Sequence, residues 1–405
     1  MKKTILISVA VLALAGLGGG IWYFLKSKPP TGGNQDQNSA AVAAGKELAN
    51  NKCSGTGPGM LTALPMNFGD FSMILPYGGM IDNHVTPIDH QYYSPTVFNS
   101  PRDTYPVYAM ADARLVDIQP RDTDRGREYR MVFSMTCTFL YYYDLVTSLA
   151  PDIKTVYDKN KNSQGYVQDL DIQVKSGQEI GRIGGQTLDF AVWDTTKPLT
   201  GFVNPESYRS ESWKIYTADP LDYAAADIRE KMLAKYIRTA EPRSGKIDYD
   251  IDGRLIGNWF LEGTNGYAGS AEETAMGSYA RGHLSIAPDQ IDPTAFIASF
   301  GDYQGRPRQI SLSRTSPNPS DVAVETELVK YNLFNWQWRE DNGRDWDRFS
   351  FPSVLPLTLY NEGFRSEGCV LFQLVEDRKL KMETFPGKNC SGIGSFTSGA
   401  KFYER

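Results

Sequence analysis

The sequence predicts a mainly β protein, in which two β domains joined by a linking helix follow an apolar amino-terminal helix. Three observations support this fold class. Aromatic residues make up 12% of the chain and include 23 tyrosines, a composition that favours strands over helical bundles. Short apolar stretches alternate with Gly, Pro and Asn, as they do between antiparallel strands. A length of 405 residues is sufficient for two domains with separate cores.

The amino-terminal residues 1–28 are predicted to form a membrane anchor. The apolar run 5–25 has the length that an α-helix needs to cross about 30 Å of hydrocarbon. Two lysines precede this run, and aromatic residues lie near its end, which favours an amino terminus in the cytoplasm. A cleaved signal peptide is the alternative, because "ALA" at 13–15 resembles a peptidase site. Both interpretations predict export. The anchor would make the cell membrane a partner and the chain a single-pass protein of the inner, cytoplasmic membrane, with its body in the periplasm or outside the cell.

Two segments with different amino-acid compositions follow the predicted anchor. Residues 29–55 are predicted to form a flexible linker, because Pro, Gly, Asn, Gln, Ala and Ser dominate their composition. A first β domain is predicted over 56–216, where stretches such as "YRMVFSMTCTFLYYY" (129–143) are typical of strands.

The linking helix is predicted over 217–245, since Asp219 is a favourable N-cap and Pro220 fits the first helical position. Residues 246–405 then contain about eight alternating runs separated by turn residues. This pattern predicts a closed antiparallel barrel, because closure removes exposed strand edges. The Gly-x-Trp at 257–259 is vaguely similar to the first strand of lipocalin-like barrels. A barrel that carries a small ligand is therefore one functional alternative.

Charge and cysteine content narrow the functional classes. A net charge of −6 without any basic run argues against nucleic-acid binding, which needs a positive surface. The four cysteines of an exported chain are expected to form disulfides, because none of them has the C-x-x-C spacing of a metal site. Three pairings can form. Cys369–Cys390 is the most local, and it would leave Cys53–Cys137.

Four segments between Tyr105 and Asp194 carry the most specific pattern. They read "YPVYAMADARLVDI" (105–118), "VFSMTCTFLYYYDL" (132–145), "VQDLDIQVKSGQEIGRIGG" (167–185) and "TLDFAVWD" (187–194). In order and spacing they resemble the lysostaphin-type (LytM-like) zinc endopeptidases, which cleave murein in bacterial cell walls. With the stretch that precedes them, the resemblance spans about residues 60–215. It implies a lysostaphin-type β sheet or barrel in the first domain and a function in the cell envelope.

The resemblance also implies where zinc ligands would lie. Active members take a His and an Asp from an H-x-x-x-D stretch and a second His from a later H-x-H pair. Here the stretch "HVTPIDHQYY" (84–93) places His84 and Asp89 five residues apart, with His90 directly after them. Thr187 and Asp189 occupy the two positions of the H-x-H pair.

A third histidine position, in the Tyr-x-His-Leu of active members, is Asp144 in this chain. Because Thr and Asp do not replace a catalytic imidazole at neutral pH, the resemblance implies a degenerate, non-catalytic member without a cofactor. The alternative is an active zinc metallopeptidase with shifted ligands. Its candidate ligands are His84, Asp89, His90 and Asp189.

Binding can outlast catalysis when the scaffold of a groove is kept. The expected function is therefore binding of peptidoglycan or of a cell-wall hydrolase. The candidate groove residues are Tyr92, Tyr93, Tyr142, Asp144, Thr187 and Asp189. A purely structural interpretation of the stretch 84–93 stays open, in which Pro87 fixes a turn and Asp89 and His90 hydrogen-bond the surrounding backbone.

Overall fold

Antiparallel strands build both halves of the chain in the computed structural model, which describes residues 34–167, 169–313 and 317–405. The first half contains an eight-stranded sheet in the order β1-β2-β10-β6-β5-β4-β8, with β11 added to β10, and a three-stranded sheet in the order β3-β9-β7. Its strands are β1 (Phe71–Leu75), β2 (Gln91–Pro95), β3 (Tyr105–Tyr108), β4 (Ala113–Thr123), β5 (Gly126–Ser134), β6 (Phe139–Val146), β7 (Ser148–Leu149), β8 (Ile172–Val174), β9 (Glu179–Ile183), β10 (Leu188–Asp194) and β11 (Thr217–Ala218). Its helices are α1 (Asn34–Leu48), α2 (Pro151–Asn160) and α3 (Ala226–Leu233), with 3-10 segments at Pro205–Tyr216 and Pro220–Asp222.

The second half is a closed barrel, as the sequence predicted, in the order β12-β13-β14-β15-β16-β19-β20-β21, with β17 and β18 forming a separate hairpin. Its strands are β12 (Gly257–Leu261), β13 (His283–Pro288), β14 (Phe296–Tyr303), β15 (Arg306–Leu312), β16 (Val329–Phe334), β17 (Gln337–Glu340), β18 (Leu357–Tyr360), β19 (Ser366–Glu376), β20 (Lys379–Pro386) and β21 (Lys401–Glu404). Its helices are α4 (Ala271–Ala275) and the 3-10 segments Gly266–Ala268, Tyr279–Gly282, Val324–Thr326 and Cys390–Gly392.

Large apolar side chains fill the interior of the barrel. Trp259, Leu284 and Phe300 lie side by side on three neighbouring strands and are all buried. Tyr331 and Phe372 continue this cluster on the opposite side of the barrel. Because alternate residues of each strand point inward and pack together, the barrel has a side-chain core, and the predicted alternative of a ligand carrier gains no support.

The fold class predicted from the sequence needs one correction. Among the residues that the structure describes, none of the helices combines the length and the apolar character needed to cross a membrane. The predicted anchor, residues 1–28, lies outside the described residues. For the described residues, the fold class is therefore corrected to a mainly β chain with several sheets and a closed barrel and with no helix that could cross a membrane, and the predicted single-pass location in the inner membrane is not retained.

Helix α1 lies within the predicted flexible linker and packs on the sheet instead. Ala41 and Gly45 share one face of the helix, and they are buried together with Ala49, which directly follows the helix. Thr195 donates a hydrogen bond to the carbonyl of Ala41 over 2.8 Å, and any side chain at position 45 would collide with the backbone oxygen of Cys137. The small residues that suggested a flexible tether thus allow close packing of a helix against the sheet.

Both predicted disulfides are present, as Cys53–Cys137 and Cys369–Cys390. The first connects the segment after α1 to the turn before β6, and the second connects β19 to the segment after β20. Each bridge therefore joins elements within one half of the chain.

The predicted linking helix, 217–245, is shorter than expected. Asp219 does cap a helical turn, since its carboxylate accepts from the amide of Leu221 over 2.9 Å. The amide of Leu61 then donates to the carbonyl of Tyr223, and the amide of Ala225 donates to the carbonyl of Leu61. These backbone groups are no longer free for a continuous helix, so only α3 is α-helical in this region.

The eight-stranded sheet has two different faces. One face packs on α2, α3 and the small sheet, through residues such as Phe133, Tyr143 and Phe190. On the other face, Tyr142 and Trp193 belong to a cluster that also contains residues of the 3-10 segment Pro205–Tyr216 and of the barrel. The second face carries the candidate site.

Candidate functional site

The predicted groove residues on the strands divide between the two faces of the sheet. Asp189 on β10 lies opposite Asp144 on β6 and opposite Tyr92 on β2. Tyr142 is two residues from Asp144, so it shares the same face. Tyr93 points the other way, into the apolar core, where its ring lies 5.1 Å from that of Phe71. The structure therefore brings four of these residues together and excludes Tyr93 from the groove.

The opening stretch of the resemblance reaches the same face. The ring of His90 lies between two carboxylates, with Nδ1 3.5 Å from Oδ1 of Asp89 and Nε2 3.3 Å from Oδ2 of Asp189. Its centroid is 5.9 Å from that of His84. Burial of the His84 ring lowers its pKa to about 3, so this imidazole is neutral at pH 7. The predicted candidates are thus neighbours in space.

Two residues that sequence reasoning missed hold Asp89 in place. Nζ of Lys214 lies 2.8 Å from Oδ1 of Asp89, and the indole of Trp213 donates to Oδ2 over 2.8 Å. Asp89 is 4% exposed and Lys214 is 5% exposed. Burial alone would raise the pKa of Asp89, but the ammonium of Lys214 outweighs it, and the pKa is well below the ordinary value.

The 3-10 segment Pro205–Tyr216 carries this lysine onto the sheet. Lys214 also lies 3.2 Å from Glu211 and 4.9 Å from the ring centre of Tyr267, which belongs to the barrel half. Although burial opposes its charge, Asp89 and Glu211 raise the pKa of Lys214 well above the ordinary value. Lys214 is therefore a permanent cation and cannot act as a base or nucleophile near neutral pH.

The negative charge of Asp144 is compensated in the same manner by two arginines. Nη2 of Arg121 lies 2.8 Å from Oδ2 of Asp144, and Nε of Arg130 donates to the same oxygen over 3.0 Å. Burial opposes the charge of Asp144, yet Arg130 and Arg121 lower its pKa to about 2. The guanidinium of Arg130 also lies 5.0 Å from the ring centre of Tyr142. Asp144, at the position where the sequence resemblance expects a third histidine, is thus an ion-paired carboxylate.

The negative charge of Asp189 is compensated by nearby cations less than the charges of Asp89 and Asp144 are. It is 6% exposed, and burial together with the nearby charge of Asp144 raises its pKa to about 7, although His90 acts in the opposite direction. The hydroxyl of Thr187 donates to Oδ1 over 3.3 Å. Both positions of the H-x-H pair therefore contact each other, but neither supplies an imidazole.

This arrangement does not fit a zinc ion. Zinc needs about four donors that converge on one point. Here Asp89 and Asp189 lie near different nitrogens of the His90 ring, so the ring separates the two carboxylates and one ion cannot contact all three groups. Asp89 already accepts from two donors. In the described part of the chain, no group of three or more His, Cys, Asp or Glu side chains could hold a metal ion.

Access to the site is restricted to its rim. Tyr142 is fully buried beneath Trp193, with ring centres 4.9 Å apart, and Trp213 lies 6.2 Å from Trp193. Tyr92 and Thr187 keep part of their surface exposed. The groove predicted from the sequence is therefore largely filled by the chain itself.

Comparisons with known proteins give little further guidance. No family model matches the sequence, and no curated protein matches it either. The NMR solution structure of lysostaphin is similar at 11% sequence identity, with 88% of this chain and 91% of lysostaphin covered, but the TM-score is only 0.24. A score of this size does not establish a shared fold.

Proposed function

We propose that this chain is a non-hydrolytic protein of the cell envelope that binds peptidoglycan. The observation that carries the proposal is the buried pair of Lys214 and Asp89, whose atoms lie 2.8 Å apart. The ammonium of Lys214 thus lies beside the carboxylate of Asp89, which the sequence resemblance would assign as a zinc ligand. Without a convergent set of donors, a hydrolytic water has no metal to activate it.

Other features support a role outside the cytoplasm. Two disulfides are typical of proteins from oxidising compartments. The net charge of −6 disfavours a nucleic-acid partner. The ordered resemblance of the segments between 105 and 194 to murein endopeptidases makes the cell wall the natural ligand to test.

The absence of hydrolysis is tested by metal content and by release of fragments from dye-labelled murein sacculi. After incubation with zinc and extensive dialysis, the purified chain is expected to hold far less than one zinc per molecule and to release no dye. Asp89→Asn is the matched variant, and it should leave both readings unchanged. About one zinc per chain that is lost in His84→Ala or Asp89→Asn would support the metallopeptidase alternative and overturn the proposal.

Binding is tested by sedimentation of the purified chain with unlabelled sacculi at moderate salt. Retention in the pellet is expected, and chain unfolded by heat and reducing agent serves as the control. A chain that stays in the supernatant would remove peptidoglycan as the ligand. The remaining expectation would then be a cell-wall hydrolase, which cross-linking to such an enzyme can test.

A further inference from the structure

A second recess lies where the two halves of the chain meet, away from the buried carboxylates. It is a cleft of about 650 Å³ between the 3-10 segment Pro205–Tyr216 and the loop that follows β12. Ser207 and Ser210 lie on one wall, and Thr264 and Asn265 lie on the other. Its size falls within the range of small-molecule sites, roughly 300–1,000 Å³.

The walls of the cleft are fixed in place by buried contacts. The ring of Tyr208 lies 5.5 Å from that of Phe260, and its hydroxyl accepts from Nδ2 of Asn258 over 2.8 Å. Gly266 has a φ of 60°, and a Cβ there would lie 2.7 Å from the carbonyl oxygen of Ser207. Only glycine allows this close approach of the two walls. A preformed cleft reduces the entropy lost when a ligand binds.

The two arginines that line the cleft are already paired. Arg209 forms an ion pair with Glu206. The buried guanidinium of Arg405 donates to the carbonyls of Ile256 and Ile251 over 2.7 and 2.6 Å. A free phosphate or carboxylate group would therefore find no uncommitted cation among these lining residues.

The remaining polar lining groups are the carboxylate of Glu404 and the amides and hydroxyls of Asn204, Ser207, Ser210, Thr264 and Asn265. The apolar lining consists of Phe260 and Ala268. Peptide recognition generally uses a free strand edge or apolar pockets for side chains, and this lining provides neither. Neutral donors and acceptors on both walls match a ligand that carries many hydroxyl groups.

We propose that this cleft binds an oligosaccharide. The proposal rests on the proposed function in one respect, which is that the glycan strand of peptidoglycan makes N-acetylated amino sugars the class to test. It also assigns the glycan, and not the peptide, as the recognised part of the polymer, and it places recognition at the junction of the two halves.

The experiment is isothermal titration of the purified chain with chitotetraose, a tetrasaccharide of N-acetylglucosamine, and with maltotetraose for comparison. Chitotetraose is expected to bind the native chain. Ser210→Trp fills the cleft and should weaken binding more than tenfold, whereas Asn265→Ala should weaken it about 3- to 10-fold through loss of a hydrogen bond. Ser163→Trp is the matched control, because Ser163 is exposed and does not line the cleft. This variant should bind chitotetraose like the native chain.

Thermal melting of each variant, compared with the native chain, shows that loss of binding does not reflect unfolding. No binding of chitotetraose by the native chain, or equal binding by Ser210→Trp, overturns the proposal. If sacculi retain the chain but chitotetraose does not bind, the glycan assignment fails while the proposed function stands. If neither binds, both fail.

Discussion

The two faces of the eight-stranded sheet are built by the same strands but are stabilised differently. On the apolar face, Phe133 stacks on Tyr141 with ring centres 4.7 Å apart, and Phe190 packs on Tyr143 at 5.7 Å. On the opposite face, buried carboxylates are held by cations, as Lys214 holds Asp89. One face depends on burial of apolar area, whereas the other depends on charge pairs that must offset a desolvation cost.

The difference shows what buried carboxylates require from the residues around them. Their negative charge needs positive charge nearby, and this chain supplies it from Lys214, Arg121 and Arg130. Replacement of the whole charged face by apolar residues could have been equally stable. Retention of the charges therefore gives a face whose stability should respond to mutation and pH in ways that the apolar face does not.

The largest effect on the free energy of unfolding is expected from loss of Lys214, because this residue holds a buried carboxylate on the charged face. Lys214→Met keeps most of the side-chain length but leaves the charge of Asp89 buried without its cation. The free energy of unfolding is expected to fall by about 3–5 kcal/mol. Urea unfolding at pH 7 measures it.

Lys231→Met is the matched control, since Lys231 forms a largely exposed pair with Asp227. This change should cost less than about 1 kcal/mol. The double variant Lys214→Met, Asp89→Asn should recover part of the loss, because the two residues are coupled. Equal losses for Lys214→Met and Lys231→Met would show that the buried pair has no special role.

A cavity on the apolar face should have a slightly smaller effect of a different kind. Leu188→Ala removes a fully buried side chain and should lower the free energy of unfolding by about 2–4 kcal/mol. Because no charge is involved, the loss should be the same at low and high salt. Urea unfolding at both salt concentrations checks this, and a marked dependence on salt would contradict the contrast between the faces.

Below about pH 4, the charged face should also become weaker, because Asp144 is protonated there. The pKa of Asp144 is lowered to about 2 in the folded chain, from an ordinary value of 3.8. Its contribution is therefore complete above about pH 4 and is lost as the pH falls through about 2, and it amounts to about 2 kcal/mol. Asp144→Asn should remove this part of the acid dependence. A variant with the same acid profile as the native chain, in unfolding experiments between about pH 2 and 6, would argue against the ion pairs.

Much of the fold follows from alternation along the chain. The barrel was predictable because alternating runs after residue 246 can bury one side of each strand, and closure of the sheet leaves no exposed strand edge. The long linking helix was not, because tertiary hydrogen bonds to Leu61 compete for the backbone of Tyr223 and Ala225. Alternation alone would also have excluded one of Tyr92 and Tyr93 from the groove, since neighbouring residues in a strand point to opposite faces of the sheet.

The site was predictable only in part. Asp89, His90 and Asp189, three of the candidate ligands taken from the resemblance, meet on one face. Lys214 carries no local signal, since it is 125 residues from Asp89 and lies in a segment without a recognisable pattern. Long-range partners of buried charges depend on tertiary packing, and a single sequence does not encode them in any local motif.

The smallest expected effect compares two adjacent tyrosines on β6, one on each face. The hydroxyl of Tyr143 donates to the carbonyl of Tyr108 over 2.8 Å. The hydroxyl of Tyr142 is buried and has no hydrogen-bond partner among the residues that the structure describes. Tyr143→Phe should therefore lower the free energy of unfolding by about 0.5–1.5 kcal/mol. Tyr142→Phe should change it by less than about 0.5 kcal/mol, or raise it, because an unpaired buried hydroxyl is unfavourable.

The phenyl ring that remains at position 142 still lies under the guanidinium of Arg130, so this substitution removes the hydroxyl and keeps the cation–π contact. Urea unfolding of both variants under the same conditions gives the difference directly. If Tyr142→Phe costs as much as Tyr143→Phe, the hydroxyl of Tyr142 has a partner in solution, and the charged face is better satisfied than the contacts described above imply. If Tyr142→Phe is neutral or stabilising, the hydroxyl of Tyr142 is an unpaired buried group on the charged face, in contrast to the paired hydroxyl of Tyr143 on the apolar face.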